Sequence, residues 1–241
     1  MGRVVAIHQP QYLPWLPYMA KIAQCDVFVL LDDGQYQKNG LQNRNQIKTA
    51  QGPAWLTVPV HGNLKKTIAQ TTLASETWAA RHLRSLEQNY ARAPGTHVLI
   101  AQLEPVLQRP WTSLADLSAA VLTVLMQAFS ITVPVIRSSS LGATGRRQER
   151  VLAICRELDA TQYLSGHGAA VYQDPIAFES LGIELLYQRY QATSYPQCHM
   201  ALGFLPDLSC IDLALNDPVS AGERLRSGLL IPATAAEIHG A

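Results

Sequence analysis

Short apolar, β-branched runs recur along the chain, and each stops at a polar cluster. Residues 4–7 (VVAI) end in His8-Gln9-Pro10-Gln11-Tyr12, and residues 27–31 (VFVLL) end in Asp32-Asp33. Between them Leu16, Met19, Ile22 and Ala23 sit three and four positions apart, the apolar stripe of a helix that Pro14 can open. Strand, helix and strand in this order form a parallel βαβ unit. Residues 133–137, 162–164 and 183–187 read as further strands of the same sheet. Helical spacing fills residues 76–130, with Ala79, Leu83, Leu86 and Tyr90 on one face and Leu114, Leu117, Val121, Leu125 and Phe129 on another. Residues 146–158 make a further helix. Weak alternation from Trp55, followed by Thr67, Ile68, Thr71 and Thr72, predicts a small antiparallel excursion near residues 54–73, with a turn at 61–63. Residues 35–48 hold few apolar groups and read as a loop. Ser209 and Asp212 fit a capping box on the last helix, and the Ala-rich tail beyond Ile231 reads as frayed. The pattern predicts one α/β domain over residues 1–241. Its sheet is mainly parallel with helices on both faces, of the HUP or Rossmann-like type.

In such sheets ligands bind beyond the carboxyl ends of the strands. The candidate chemistry is therefore taken from the polar clusters at those ends. His8 and Gln9 follow the first strand, where a plain turn would take Gly, Asn, Asp or Ser. His8 suits general acid–base work near neutral pH, or a structural hydrogen bond. Asp32 suits orientation of a cation or a hydroxyl, or a turn cap. Ser165-Gly166-His167-Gly168 follows residues 162–164, and its glycines admit close approach of a ligand to the backbone. His8, Gln9, Asp32 and His167 are the candidate catalytic residues. Tyr12, Gln35, Lys38, Asn43, Arg44 and Ser165 are the candidate substrate-binding residues, because amides and cations suit sugar hydroxyls and phosphate. All are expected to line one pocket. Ser138-Ser139-Ser140 reads more readily as a linker than as a phosphate site. Arg146 and Arg147 open a helix, where the dipole disfavours them and a bound anion would offset the cost.

Composition narrows the classes. The chain is 48% hydrophobic and 15% charged, with a formal net charge of +1. That balance gives no basis for non-specific nucleic-acid binding, although an aminoacyl-tRNA donor stays open. No apolar run nears membrane-spanning length, so no membrane insertion is expected. Four cysteines without a CxxC pair suggest reduced thiols and a cytoplasmic setting. No metal-ligand spacing, GxxxxGK[ST] loop or GxGxxG loop is present.

The stretches AIHQPQYLPWLPYMAKIAQCDVFVLLDD, QYQKNGLQNRNQIK, YLSGHGAAVYQD and YPQCHMALGFLPDLSCIDLALND resemble the bacterial WbqC-like family. Pro17 and Gly34 depart from the expected wording, where glycine and an apolar residue are usual. The resemblance implies a role in O-antigen, other polysaccharide or secondary-metabolite assembly. The first reading is a transferase moving an acyl or aminoacyl group onto an amino-sugar or small metabolite. His8 would be the base, and Lys38 and Arg44 would hold an anionic donor of nucleotide or CoA type. No cofactor is fixed by the sequence. The opening strand and turn also resemble HIGH-type nucleotidyltransferases, which makes nucleotidyl transfer with ATP or another nucleotide the second reading, although no HxGH motif is present. A non-catalytic sugar-binding or assembly subunit is the third.

Overall fold

The computed structural model describes residues 2–62 and 65–240. Six strands form the main sheet: β1 (Val4–His8), β2 (Val27–Leu30), β5 (Val135–Arg137), β6 (Gln162–Ser165), β7 (Glu184–Tyr187) and β8 (Ala233–Thr234). Their spatial order is β5-β2-β1-β6-β7-β8. Counted along the chain as strands of this sheet, that is 3-2-1-4-5-6, the order of doubly wound nucleotide-binding folds. All pairings are parallel except β7 with the edge strand β8.

Period-two alternation divides the side chains between two cores. Val5, Ile7, Val29, Tyr163 and Leu185 pack on one face with Ile154 and Cys155 of α5 (Gln148–Glu157) and Phe178 of α6 (Pro175–Glu179). Ala6, Phe28, Leu30 and Leu164 face the larger core. That core gathers α1 (Leu16–Ala23), α2 (Trp78–Asn89), α3 (Thr96–Leu107), α4 (Leu114–Ala128), α7 (Ile211–Asn216) and α8 (Ala221–Ser227). Burial on both faces explains why the central strands read as unbroken apolar runs.

The antiparallel excursion lies earlier than expected. It is a hairpin of β3 (Arg44–Thr49) and β4 (Gly52–Thr57), closed by Ala50-Gln51, with Gly52 at φ +110°. The polar RNQIKT segment is a strand because its buried polar groups find partners. Asn45 Nδ2 donates to Leu13 O at 2.7 Å, and Lys48 Nζ donates to Gln197 Oε1 at 3.0 Å. Residues 65–73 contribute isolated bridges, Gln35 with Thr67 and Val60 with Leu73, rather than a strand. The turn expected at 61–63 falls partly outside the described residues. The tail is ordered: β8 joins the sheet, and α9 (Ala235–His239) carries a capping box of Thr234 and Glu237. Ser209 and Asp212 form no such box. Asp212 is instead buried, accepting from Tyr90 Oη at 2.6 Å, Tyr195 Oη at 2.9 Å and Gln197 Nε2 at 2.8 Å.

Candidate functional site

The strand order reverses between β1 and β6. Loops leaving those two strands diverge to opposite faces, so a crevice opens at their carboxyl ends. Three clefts meet there. One of about 390 Å³ is bounded by Ile7, His8, Gln9, Lys21, Arg147, Ser165 and Tyr172. A second of about 300 Å³ lies on the α1 side, against His8, Trp15, Tyr18, Lys21, His167, Gln188 and Tyr190. A third of about 930 Å³ extends past β2, against Gln9, Gln35, Lys66, Arg146, Arg147 and Arg150. His8 and Lys21 border the first two, and Gln9 and Arg147 border the first and third.

His8 is half-buried at the end of β1. Its Nδ1 is 3.0 Å from Gln9 O, an acceptor, so Nδ1 carries the proton and Nε2 the free lone pair. The ring meets Tyr18 edge-on at 4.9 Å. Burial, and then the adjacent Lys21 ammonium, push its pKa down to about 3, so the imidazole is neutral at physiological pH. Gln9 Oε1 accepts from Gln42 Nε2 at 2.8 Å, which holds the loop after β2 against the crevice. Across the switch point, Ser165 Oγ donates to Gln173 Oε1 at 3.0 Å. His167 is exposed on the following turn.

Five of the ten candidate residues therefore border the crevice: His8, Gln9, Gln35, Ser165 and His167. The other five lie elsewhere, which corrects the expectation of one shared pocket. Tyr12 is fully buried, with its hydroxyl 2.9 Å from His82 Nδ1. Asp32 is also buried, and accepts from Ser138 Oγ at 3.1 Å, Ser139 N at 3.0 Å and Ser139 Oγ at 2.7 Å. The neighbouring Asp33 takes Ser138 Oγ and pairs with Arg150. The serine run is thus a clamp joining the ends of β2 and β5, not a linker. Asn43 is buried, bridging Tyr36 Oη and Val58 O. Arg44 donates to Asn39 O at 2.6 Å and lies over Trp55 at 4.3 Å. Lys38 is exposed and borders none of the three clefts.

Lys21 escaped the sequence reading because a helical lysine is ordinarily solvated. A signal was available: Leu16, Tyr18, Met19, Ala20 and Ile22 are all buried, so α1 has little solvent face to offer a lysine. Arg147, at φ +51° before α5, is the cation shared by the first and third clefts. Among the described residues no helix is long and apolar enough to cross a membrane, and no group of three or more His, Cys, Asp or Glu is arranged to hold a metal ion.

Fold and crevice define a doubly wound α/β protein with a candidate ligand site at the strand-order switch. The chain belongs to the WbqC-like protein family, whose model matches residues 9–223. It is 34% identical over 226 residues to the uncharacterized protein Rv1507c of Mycobacterium tuberculosis (strain ATCC 25618 / H37Rv), a match covering 92% of this chain and 97% of that protein. No solved structure matches.

Proposed function

We propose that the chain is a group transferase of a bacterial polysaccharide or secondary-metabolite pathway, acting in the cytoplasm. It moves an acyl or aminoacyl group onto an amino-sugar or a related small metabolite. The observation that carries this reading is that His8 borders two clefts at once. A transfer reaction needs two substrates held on either side of the group that handles the proton. The α5 side supplies Arg147 and opens to Arg146, Arg150 and Lys66, which suits an anionic donor of nucleotide or CoA type. The α1 side supplies the flat rings of Trp15, Tyr18 and Tyr190 with the Gln188 amide, which suits a sugar-like acceptor. In this reading Nε2 of neutral His8 accepts the proton of the attacking amine or hydroxyl as the new amide or ester bond forms, and returns it to the leaving oxygen or sulfur of the donor as the donor's acyl bond breaks. Ser165 at the end of β6 and His167 on the turn after it contact the substrates.

A thermal-shift screen of nucleotides, nucleotide-sugars, acyl-CoA and aminoacyl-tRNA tests it, since a ligand of the folded state raises the melting temperature. An anionic donor should stabilise the protein, less so at high salt, and Arg147→Ala should weaken it. Pyrophosphate release that depends on magnesium would favour nucleotidyl transfer. Stabilisation by a neutral sugar alone, without salt dependence or turnover, would reject the transferase in favour of a binding subunit.

A further inference from the structure

Tyr18 and Lys21 are three positions apart on α1, so their side chains leave the helix on one side. Both border the α1 cleft, yet they are only 2% and 3% exposed. The Tyr18 hydroxyl has no hydrogen-bond partner among the described residues. The Lys21 ammonium has neither a hydrogen-bond acceptor nor a carboxylate among the described residues. It lies against the turn after β6, where a Cβ built on Gly166 would stand 3.2 Å from Nζ. The thiol of Cys25, one turn along α1, is pushed up to about 12 by burial, so it stays neutral and provides no counter-charge.

Buried Lys48 and half-buried Arg150 are treated differently. Lys48 Nζ donates to Gln197 Oε1 at 3.0 Å and to Gly203 O at 2.5 Å. Arg150 pairs with Asp33. An ammonium on a side chain only 3% exposed, with no counter-charge in the protein, is unfavourable even where a cleft reaches it, and the unpaired Tyr18 hydroxyl on the same side of the helix adds a second unmet donor. A neutral sugar hydroxyl or an amine would not supply the missing charge. An oxyanion would answer both groups at once.

We propose that Lys21, with the Tyr18 hydroxyl, anchors an anionic group, a carboxylate or a phosphate, of the molecule that fills the switch-point crevice. The proposal rests on the crevice being the ligand site, as read above, but not on any reaction occurring there. The ammonium lies beside His8 between two clefts, so the anchored group fixes the ligand with its reactive end next to the imidazole. Lys21 acts as a positioning charge, and no bond forms to it.

The test titrates the whole protein with sodium phosphate and, separately, sodium acetate at constant ionic strength, reading thermal unfolding and calorimetric binding. Wild type, Lys21→Met, Tyr18→Phe and the exposed control Arg84→Met are compared. Whichever anion stabilises the wild type saturably names the ligand group. A hundredfold excess over the Kd should raise the melting temperature by about 5–10 °C. Lys21→Met should weaken binding at least about tenfold and Tyr18→Phe about threefold or more, with no change for Arg84→Met. Without anion, Lys21→Met should melt above the wild type, because an unpaired buried charge has gone. Should that variant not fold, acetylation of Lys21 in the wild type, read by mass spectrometry, must slow about tenfold with the anion. Equal binding by Lys21→Met, or no effect of either anion on melting and acetylation, overturns the anchor. A His8→Gln arm separates the two readings. If His8→Gln keeps anion binding and also keeps full turnover, the transferase reading falls while the anchor stands.

Discussion

Asp32→Ala removes a carboxylate that is 1% exposed and accepts three hydrogen bonds, at 3.1, 3.0 and 2.7 Å. Its donors are two hydroxyls and one backbone N–H of the turn after β5, and Arg137 Nη1 stands 3.9 Å away. A hydrogen bond to a charged group contributes about 1.5–3 kcal/mol, and a buried donor left without a partner costs about 1–3 kcal/mol. Ser138 Oγ also donates to Asp33 and the exposed Ser139 hydroxyl can reach water, whereas the Ser139 N–H is fixed by the backbone and cannot turn to another acceptor. One full loss and two partial ones give about 3–5 kcal/mol. At this chain length each kcal/mol lowers the melting temperature by about 2–4 °C, so the expected fall is on the order of 10 °C. Urea unfolding of wild type and variant measures it directly, with an unchanged m-value showing that the native state keeps its compactness. Asp32→Asn keeps one acceptor oxygen and should lose about half as much. A loss below about 1 kcal/mol for Asp32→Ala would refute the clamp.

Protonation gives a second test. Burial lowers His8 to about 3 and His82 to about 4, against 6.5 unfolded, so the unfolded chain binds protons that the native state refuses. Stability should be fully present above pH 6.5 and fall as pH drops towards 4, by up to about 1.4 kcal/mol per pH unit for each histidine; His82→Gln should remove one proton from that slope in urea titrations between pH 6.5 and 5. Asp212→Ala should destabilise by about 3–5 kcal/mol, because Tyr90, Tyr195 and Gln197 lose their acceptor and the buried Lys48 loses the carboxylate nearby; Tyr90→Phe should cost about 1 kcal/mol or slightly more. Arg44→Ala should cost about 1 kcal/mol through Trp55 and Asn39, and isothermal titration should find donor affinity unchanged.

The fold was legible because its strands carry their own signal. Residues 4–7 and 27–31 are buried on both faces, so they read as continuous apolar runs bounded by polar turns. The β3–β4 hairpin was not legible, since Asn45 and Lys48 count as polar in any alternation yet are buried here among specific partners far along the chain. The same physics divides the site. His8, Gln9, Ser165 and His167 were readable as residues of the crevice because topology alone brings the ends of β1 and β6 together. Tyr12, Asp32 and Asn43 have the right chemistry in the right segments, but their polar atoms are occupied by His82, the serine turn and Val58. Lys21 was hidden in the apolar pattern of α1. Finding it means reading the all-round apolar character of Leu16–Ala23 as the mark of a helix with little solvent face.

In the proposed reaction neutral His8, where the clefts meet, handles the proton of the transferred group's acceptor. The most direct measurement is single-turnover rate and binding for His8→Gln against wild type, using the donor and acceptor that the ligand screen selects. Both ligands should bind within about threefold of the wild-type Kd while the rate falls about 10²–10⁴-fold. A variant that turns over at the wild-type rate, or loses binding and rate in equal measure, would contradict it.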